Sequence, residues 1–324
     1  MINKIAFKTN KGVSYHADSL KLIQSKRFLN KYEGKVDLIF TSPPFSLVKK
    51  KAYGNENGEE YIQWLAEFAK PLTRLLTDTG SIVVELGNAW EQGHPVFSTV
   101  PLEALLRFKS EANLHLCQEI ICHNPSRIPS PAQWVTIERI RLKDSFTRLW
   151  WLSKTENPKA DNKKVLHEYS HSMRSLIKSK RLKTGTRPSG HTITKSFLKD
   201  NGGSISASFL DPDSDKYLFG VENSLAISNS NNEAKFNSFC RYNNLKLHPA
   251  RMQLPLIEFF IRFLTDEGDI VFDPFGGSNS TGLIAEELNR EWVSSEMDID
   301  YIKGSTVRFF DEDTSRNKIK RLAK

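Results

Sequence analysis

The stretch VFDPFGGSNSTGLIAEELNREWVSSEM, residues 271–297, reads as a strand, a glycine-containing turn, a helix, and a second strand ending in a carboxylate, Glu296. Gly276 and Gly277 let the backbone approach a ligand closely. Glu296 follows Gly276 by 20 residues, where an acidic side chain chelates ribose hydroxyls in an adenosine-binding strand-helix-strand unit. The glycines do not match G-x-G-x-x-G, and Ser278, Asn279, Ser280 and Thr281 follow them instead of Gly-Lys-Ser/Thr. That removes the P-loop and weakens a dinucleotide reading. Asp273, at the strand end, is a poor neighbour for a pyrophosphate and a good one for a cationic amino-acid moiety. The expected ligand is therefore a cationic adenosine derivative, and S-adenosylmethionine fits. The competing reading is a purely structural glycine turn.

Outward from this unit, strands alternate with helices, the pattern of a helix-covered parallel sheet. Strands are expected over 12–15, 35–42, 80–87, 114–124, 268–275 and 290–297, and helices over 18–29 (capped by Asp18 or Ser19), 59–76, 101–112, 254–267 and 300–313. The basic end, RNKIKRLAK, reads as a solvated tail. From about Lys159 to Leu247 the alternation is lost in a segment rich in Lys, Arg, Ser, Asn and Gly. Between Lys163 and Lys199 ten Lys/Arg stand against one acid, Glu168. Two readings stay open for this segment: a long surface insertion, or a recognition domain that orders against a polyanion.

The chain has 324 residues, 39% of them hydrophobic and 26% charged, with 46 Lys/Arg against 38 Asp/Glu for a net charge of +8. That leans towards a polyanionic partner. No run approaches the roughly 18 apolar residues of a membrane span, and the N-terminus lacks a secretory pattern, so the expected address is the cytoplasm. Cys117, Cys122 and Cys240 are an odd set without metal-ligand spacing and are expected to be buried thiols in a reducing compartment, with no metal site.

Earlier in the chain, LIFTSPPFSL (residues 38–47) ends a strand-forming run in Ser42-Pro43-Pro44-Phe45, where two prolines forbid both helix and sheet continuation. Alone this is a rigid turn. Paired with DPFGGSNSTG, it resembles the amino-methyltransferases of bacterial restriction-modification systems, in the circularly permuted order of their β class. Further stretches carry the resemblance along nearly the whole chain: NPSRIPSPAQWV, WWLSKTENPKAD, TRPSGHTITKSFLKDNGGSI, HPARM and EFFIRFLT. The block from Asp211 to Asn244 is not covered.

The resemblance implies an α/β, doubly wound Rossmann-like methyltransferase sheet with a smaller inserted DNA-recognition domain. Residues 1–158 form the catalytic half of the core, 159–247 the target-recognition region, and 248–324 the S-adenosylmethionine-binding half. A serine before Pro-Pro marks the cytosine-N4 enzymes of the class, where adenine-N6 enzymes usually carry Asp or Asn. Ser42 and the Pro43 carbonyl would hydrogen-bond the target amino group, Pro44 would hold the hook rigid, and Phe45 would stack on a base rotated out of the duplex. Asp18 matches the acidic group that reads the cofactor's adenine amino group, and Glu296 the ribose carboxylate. Asp273, Phe275, Gly276, Gly277 and Ser278 match the cofactor loop. His248–Met252 matches a motif beside the methionine end, with Gln253 where relatives often carry a lysine, and Asn124-Pro125 the groups beside the flipped base. Arg187, Ser189, His191, Lys195, Lys199 and Asn201 are the candidates for the DNA face. The implied partners are double-stranded DNA and a restriction endonuclease acting on the same sites without a stable complex, the methyltransferase being a monomer without membrane attachment.

Two alternatives remain. An adenine-N6 enzyme on the same scaffold has Ser42 against it, and a non-enzymatic DNA-binding module would require loss of Asp273, the glycines or Glu296. Cytosine-C5 chemistry needs a nucleophilic cysteine, typically after proline, whereas Leu116, Ile121 and Phe239 precede the cysteines here.

Overall fold

The computed structural model describes residues 4–45, 58–124, 127–210, 224–249 and 251–322, and of 224–232 the backbone alone. The strands are β1 (Lys4–Lys8), β2 (Gly12–His16), β3 (Val36–Thr41), β4 (Leu76–Leu86), β5 (His115–His123), β6 (Phe146–Ser153), β7 (Gly185–Thr186), β8 (Thr192–Ile193), β9 (Phe209–Leu210), β10 (Ile270–Asp273) and β11 (Glu291–Glu296). The helices are α1 (Ser19–Ile23), α2 (Lys26–Tyr32), α3 (Gly58–Glu67), α4 (Ala69–Leu75), α5 (Val100–Glu111), α6 (His171–Ser179), α7 (Ser224–Tyr242), α8 (Leu254–Leu264), α9 (Ser280–Glu287), α10 (Ile299–Ser305) and α11 (Glu312–Leu322).

All strands but the β7–β8 hairpin join one sheet in the order β1-β2-β11-β10-β3-β4-β6-β5-β9. From β2 to β4 neighbours run parallel, and β6 is antiparallel to both β4 and β5. Side chains alternate between faces, as a pleated strand requires. Ile39, Ile82, Val84, Trp150, Phe272 and Val293 face a core with α1 to α5, while Leu38, Phe40, Val83, Trp151, Val271 and Trp292 face one with α8 to α10. Both faces are buried, so the central strands are nearly all apolar. The helix-covered sheet expected from the alternation, doubly wound as the resemblance implies, is the one observed.

Several expected elements differ. The 18–29 helix is two helices, because the Ser25 hydroxyl accepts from the Phe28 amide and caps a new start. The 59–76 helix breaks at Phe68, since Pro71 has no N–H to offer the Glu67 carbonyl four residues back. The 300–313 helix is α10 followed by a tighter turn at Thr306–Arg308. The described part of the tail, residues 316–322, is not a free solvated end. It forms most of α11, whose Ile319 packs on Phe236, Phe239 and Val307. Strands β1 and β6 were not anticipated. Cys122 and Cys240 are buried, but Cys117 is partly exposed, because the neighbouring edge strand β9 pairs β5 only at Ile121 and Cys122.

The 159–247 segment carries α6, the β7–β8 hairpin, β9 and α7. Much of the Asp211–Asn244 block lies outside the described residues. Of what is described, Phe236, Phe239 and Cys240 form a small core with Val307. Among the described residues no helix is long and apolar enough to cross a membrane.

Candidate active site at the switch point of the sheet

From β10 the sheet grows one way through β11 and β2, and the other way through β3 and β4. The carboxyl ends of β10 and β3 therefore flank a topological switch point, where open α/β sheets bind ligands. Two motifs distant in sequence meet there. Thr41, the last residue of β3, donates from Oγ1 to Asp273 Oδ1 at 2.8 Å, and Thr281 Oγ1 donates to Asp273 Oδ2 at 2.7 Å. The Phe275 amide also donates to Oδ1, at 3.0 Å. Burial pushes the Asp273 carboxyl above the usual range, and these three donors act against that shift.

A cleft opens here, lined by Ser42, Asp273, Phe275, Gly276, Gly277 and Ser278 from the sequence-derived candidates. His248, Arg251 and Met252 line it too, with Ile257, Ser280 and Thr281. Ala250, inside the HPARM stretch, lies outside the described residues, as does Pro125. Asn124 is described: its amide donates to the Ser145 carbonyl at 2.7 Å.

In the hook, Pro43 is buried and Ser42, Pro44 and Phe45 are partly exposed. Phe45 lies on the backbone of Gly87, where a Cβ would come within 2.7 Å of its ring. Glu85, near the end of β4, lies close enough to Ser42 for the serine hydroxyl to act on its carboxylate. Burial raises the Glu85 pKa, while the Ser42 hydroxyl and the Arg127 charge act to lower it. Arg127 Nη1 is held by the Phe146 carbonyl at 2.6 Å and by Asp144 at 3.2 Å. Glu85 was missed in the sequence, since an acid in a strand pattern carries no local signal.

The cofactor turn fits the expected ligand. Gly277 has φ +50°, and a Cβ there would meet His248 Nε2 at 2.9 Å, so only glycine leaves the cradle open. A Cβ on Gly276 would press on Ser294 at 3.1 Å. Glu296, ending β11, accepts from the Gly277 amide at 2.8 Å and from the Met297 and Asp298 amides at 2.7 Å each. Burial raises its pKa against these bonds. Asp18 caps α1, accepting from the Lys21 amide at 3.3 Å. It follows β2, whose His16 pairs with Glu296. Neither Asp18 nor Glu296 lines the cleft itself.

Behind the turn, Arg308 is buried. It donates from Nε to the Ser278 carbonyl at 2.8 Å and from Nη2 to Glu233 of α7 at 2.6 Å. Arg251 meets the same Glu233 at 2.8 Å. Nothing local in the sequence marks this network, because its members come from three separate segments.

The DNA-face candidates lie apart from the cleft. Arg187, Ser189 and His191 belong to the β7–β8 hairpin, where the Arg187 amide donates to the His191 carbonyl at 2.8 Å. Lys195 opens a short turn that ends before Lys199, and the Asn201 amide donates to the Tyr169 hydroxyl at 2.8 Å. All six are exposed.

Known proteins are similar to this chain in sequence and fold. A family model described as DNA methylase matches residues 36–307. Over 318 residues the chain is 42% identical to the type II methyltransferase M.PvuII of Proteus hauseri, covering 98% of this chain and 89% of that protein. The type II methyltransferase M.BamHI of Bacillus amyloliquefaciens is 24% identical over 303 residues, 90% of this chain and 56% of that protein. The solved structure of a PvuII DNA methyltransferase, cytosine-N4-specific, superposes with a TM-score of 0.73 at 34% identity, covering 99% of this chain and 95% of that one.

Proposed function

The chain belongs to the DNA methylase family, and from that premise we propose that it transfers a methyl group from S-adenosylmethionine to cytosine N4 in double-stranded DNA. It is a site-specific DNA methyltransferase that protects host DNA within a type II restriction-modification system. The observation that carries the choice of base is the serine hook lining the cleft beside the cofactor turn, with Glu85 next to Ser42.

When bound, S-adenosylmethionine supplies a methyl group activated by a sulfonium charge. Asp273, Phe275, Gly276, Gly277 and Ser278 would hold it, with Asp18 and Glu296 at the adenosine end. The exocyclic amino group of cytosine is a weak nucleophile because its lone pair is conjugated into the ring. With the Ser42 hydrogen directed at Glu85, the free lone pairs of Ser42 Oγ accept from that amino group, together with the Pro43 carbonyl. They localise its lone pair and aim it. As N4 acquires positive charge, its proton passes to Ser42 Oγ while the serine hydrogen passes to Glu85, whose raised pKa suits it to receive one. Phe45, steadied on Gly87, faces the base rotated out of the stack.

Residues 1–158 and 248–324 make up the core and 159–247 the target-recognition region, with Arg187, Ser189, His191, Lys195, Lys199 and Asn201 on the DNA. The protein works as a cytoplasmic monomer, paired with an endonuclease of the same specificity without a stable complex. The test is to incubate it with S-adenosylmethionine and unmethylated DNA, digest to nucleosides and identify the product by mass spectrometry. N4-methyldeoxycytidine is expected. N6-methyldeoxyadenosine would overturn the choice of base, and the absence of any methylated product would overturn the activity.

A further inference from the structure

The connection from β5 to β6 leaves the sheet at the same edge as the hook. Leu86 of β4 pairs with Arg148 of β6, which pairs with Ile121 of β5, so these strand ends stand in one row with the end of β3. Both ends of the connection are pinned there. Arg127 bonds the Phe146 carbonyl and Asp144, and Asn88 Nδ2 donates to Asp144 at 3.0 Å. The same Arg127 acts on Glu85, the partner of Ser42.

What the connection presents is apolar. Six of the thirteen large hydrophobic side chains exposed among the described residues belong to it or to the adjoining turn: Val96, Phe97, Ile128, Ile137, Ile140 and Leu142. Leu142, 90% exposed, and Ile128, 80% exposed, exceed all the others. The two segments touch, with the Trp90 and Trp134 rings 5.7 Å apart and Arg141 Nε on the Pro95 carbonyl at 2.8 Å. Exposed apolar side chains concentrated on one connection point to a site of interaction. Its charge selects the occupant. Arg139, Arg141 and Lys143 are exposed within it, while of its two acids Asp144 is engaged by Arg127 and Asn88, and Glu138 accepts from Gln133 at 2.7 Å.

We propose that this connection is a DNA wedge: Ile128 and Leu142 enter the base stack beside the extruded cytosine while Arg139, Arg141 and Lys143 rest on the flanking phosphates. The inference rests on the reading of the chain as a duplex-DNA methyltransferase. Apolar side chains inserted between base steps are a known way of holding DNA unstacked. Here the two most exposed ones stand immediately beside the anchored ends of the connection, next to the group that orients Ser42.

The test is the double variant Ile128→Ser, Leu142→Ser of the full chain. Leu106→Ser, a leucine 57% exposed on α5, serves as control for simple loss of surface hydrophobicity. The methylated cytosine is first mapped with wild-type protein; failure to methylate at all would overturn the underlying reading, independently of the wedge. On duplex DNA the double variant should lose about tenfold or more in kcat/KM. Its unfolding temperature and S-adenosylmethionine affinity should match wild type, as should the duplex activity of the control. On a duplex with a mismatch at the mapped cytosine, where extrusion is easier, most of the deficit should disappear. A duplex rate within about twofold of wild type, or an equal deficit on matched and mismatched DNA, would overturn the wedge. So would a wild-type dimer that the substitutions convert to monomer in sedimentation, which would make the surface an interface between copies.

Discussion

Ser42 has one hydroxyl hydrogen, and which way it points decides what the residue can do. With that hydrogen directed at the neighbouring Glu85, Oγ is an acceptor towards an amino group; without Glu85 it would turn freely. Ser42→Ala should therefore lower the single-turnover rate by about 100-fold, the scale of one preorganised polar contact, with S-adenosylmethionine affinity by calorimetry unchanged. A variant that methylated normally but bound the cofactor weakly would refute the assignment. The pH dependence follows from Glu85. Burial raises its pKa above the ordinary 4.5, and only the ionised form can take up the serine proton when the amino group gives its own proton to Oγ. Activity should thus fall as pH drops through that raised value, and Glu85→Gln should be slow at neutral pH and lack this acid limb, as a pH–rate profile would show. The hook and the glycine turn were legible in the sequence because each is a local constraint: prolines fix a backbone and a positive φ demands glycine. Glu85 was not, since its partner lies on a neighbouring strand and pairing register is not written in either segment.

Elements were legible where one periodicity ran uninterrupted and illegible where a long-range contact decided. Strand β6 enters antiparallel without a helix to announce it, so its apolar run gave no alternation. Helix α11 is polar apart from Ile319 and Leu322 and is supported by Arg316 bonding Glu312 at 2.7 Å and Asp313 at 3.0 Å, which made it look like a tail. The parallel pairing of β2 with β11 sets Trp292 over Gly12, where a Cβ would fall 1.9 Å from the indole. Gly12→Ala should then cost about 3 kcal/mol by overpacking, measured as a lower urea midpoint at unchanged m-value. A second clasp ties the start of the 159–247 segment to the turn before β10. Lys159 and Lys164 both hold Asp266, Lys159 at 2.8 Å, and their hydrogen bonds lower its pKa to about 2. A carboxylate depressed in the folded state contributes stability above its ordinary value of 3.8 and loses it as pH falls towards 2. Asp266→Asn should therefore destabilise the protein at neutral pH by less than about 1 kcal/mol, because the pair is exposed. The difference should close in unfolding curves taken near pH 2.

For the molecule as a whole, the sign of the charge and its concentration between Lys163 and Lys199 were legible, but which cations stay exposed was not. A net charge of +8 states only that polyanions are attracted, and the folded chain decides which cations face them. Many are consumed internally: Arg308 and Arg251 neutralise Glu233, and Lys159 and Lys164 serve Asp266. The hairpin and the turn after it keep theirs exposed, with Arg187 and Lys195 on short elements that bury nothing of their own. Each cation that neutralises a phosphate releases a counterion, so the slope of log affinity against log salt falls by about 0.9 per contact removed. Arg187→Ala with Lys195→Ala should reduce that slope by about 1.8, read by fluorescence anisotropy on duplex DNA across a salt series, with cofactor binding unaffected. An unchanged slope would remove these two residues from the DNA face. A loss confined to the methylated site, with the slope preserved, would place them on base edges rather than phosphates, because only a base contact distinguishes one sequence from another.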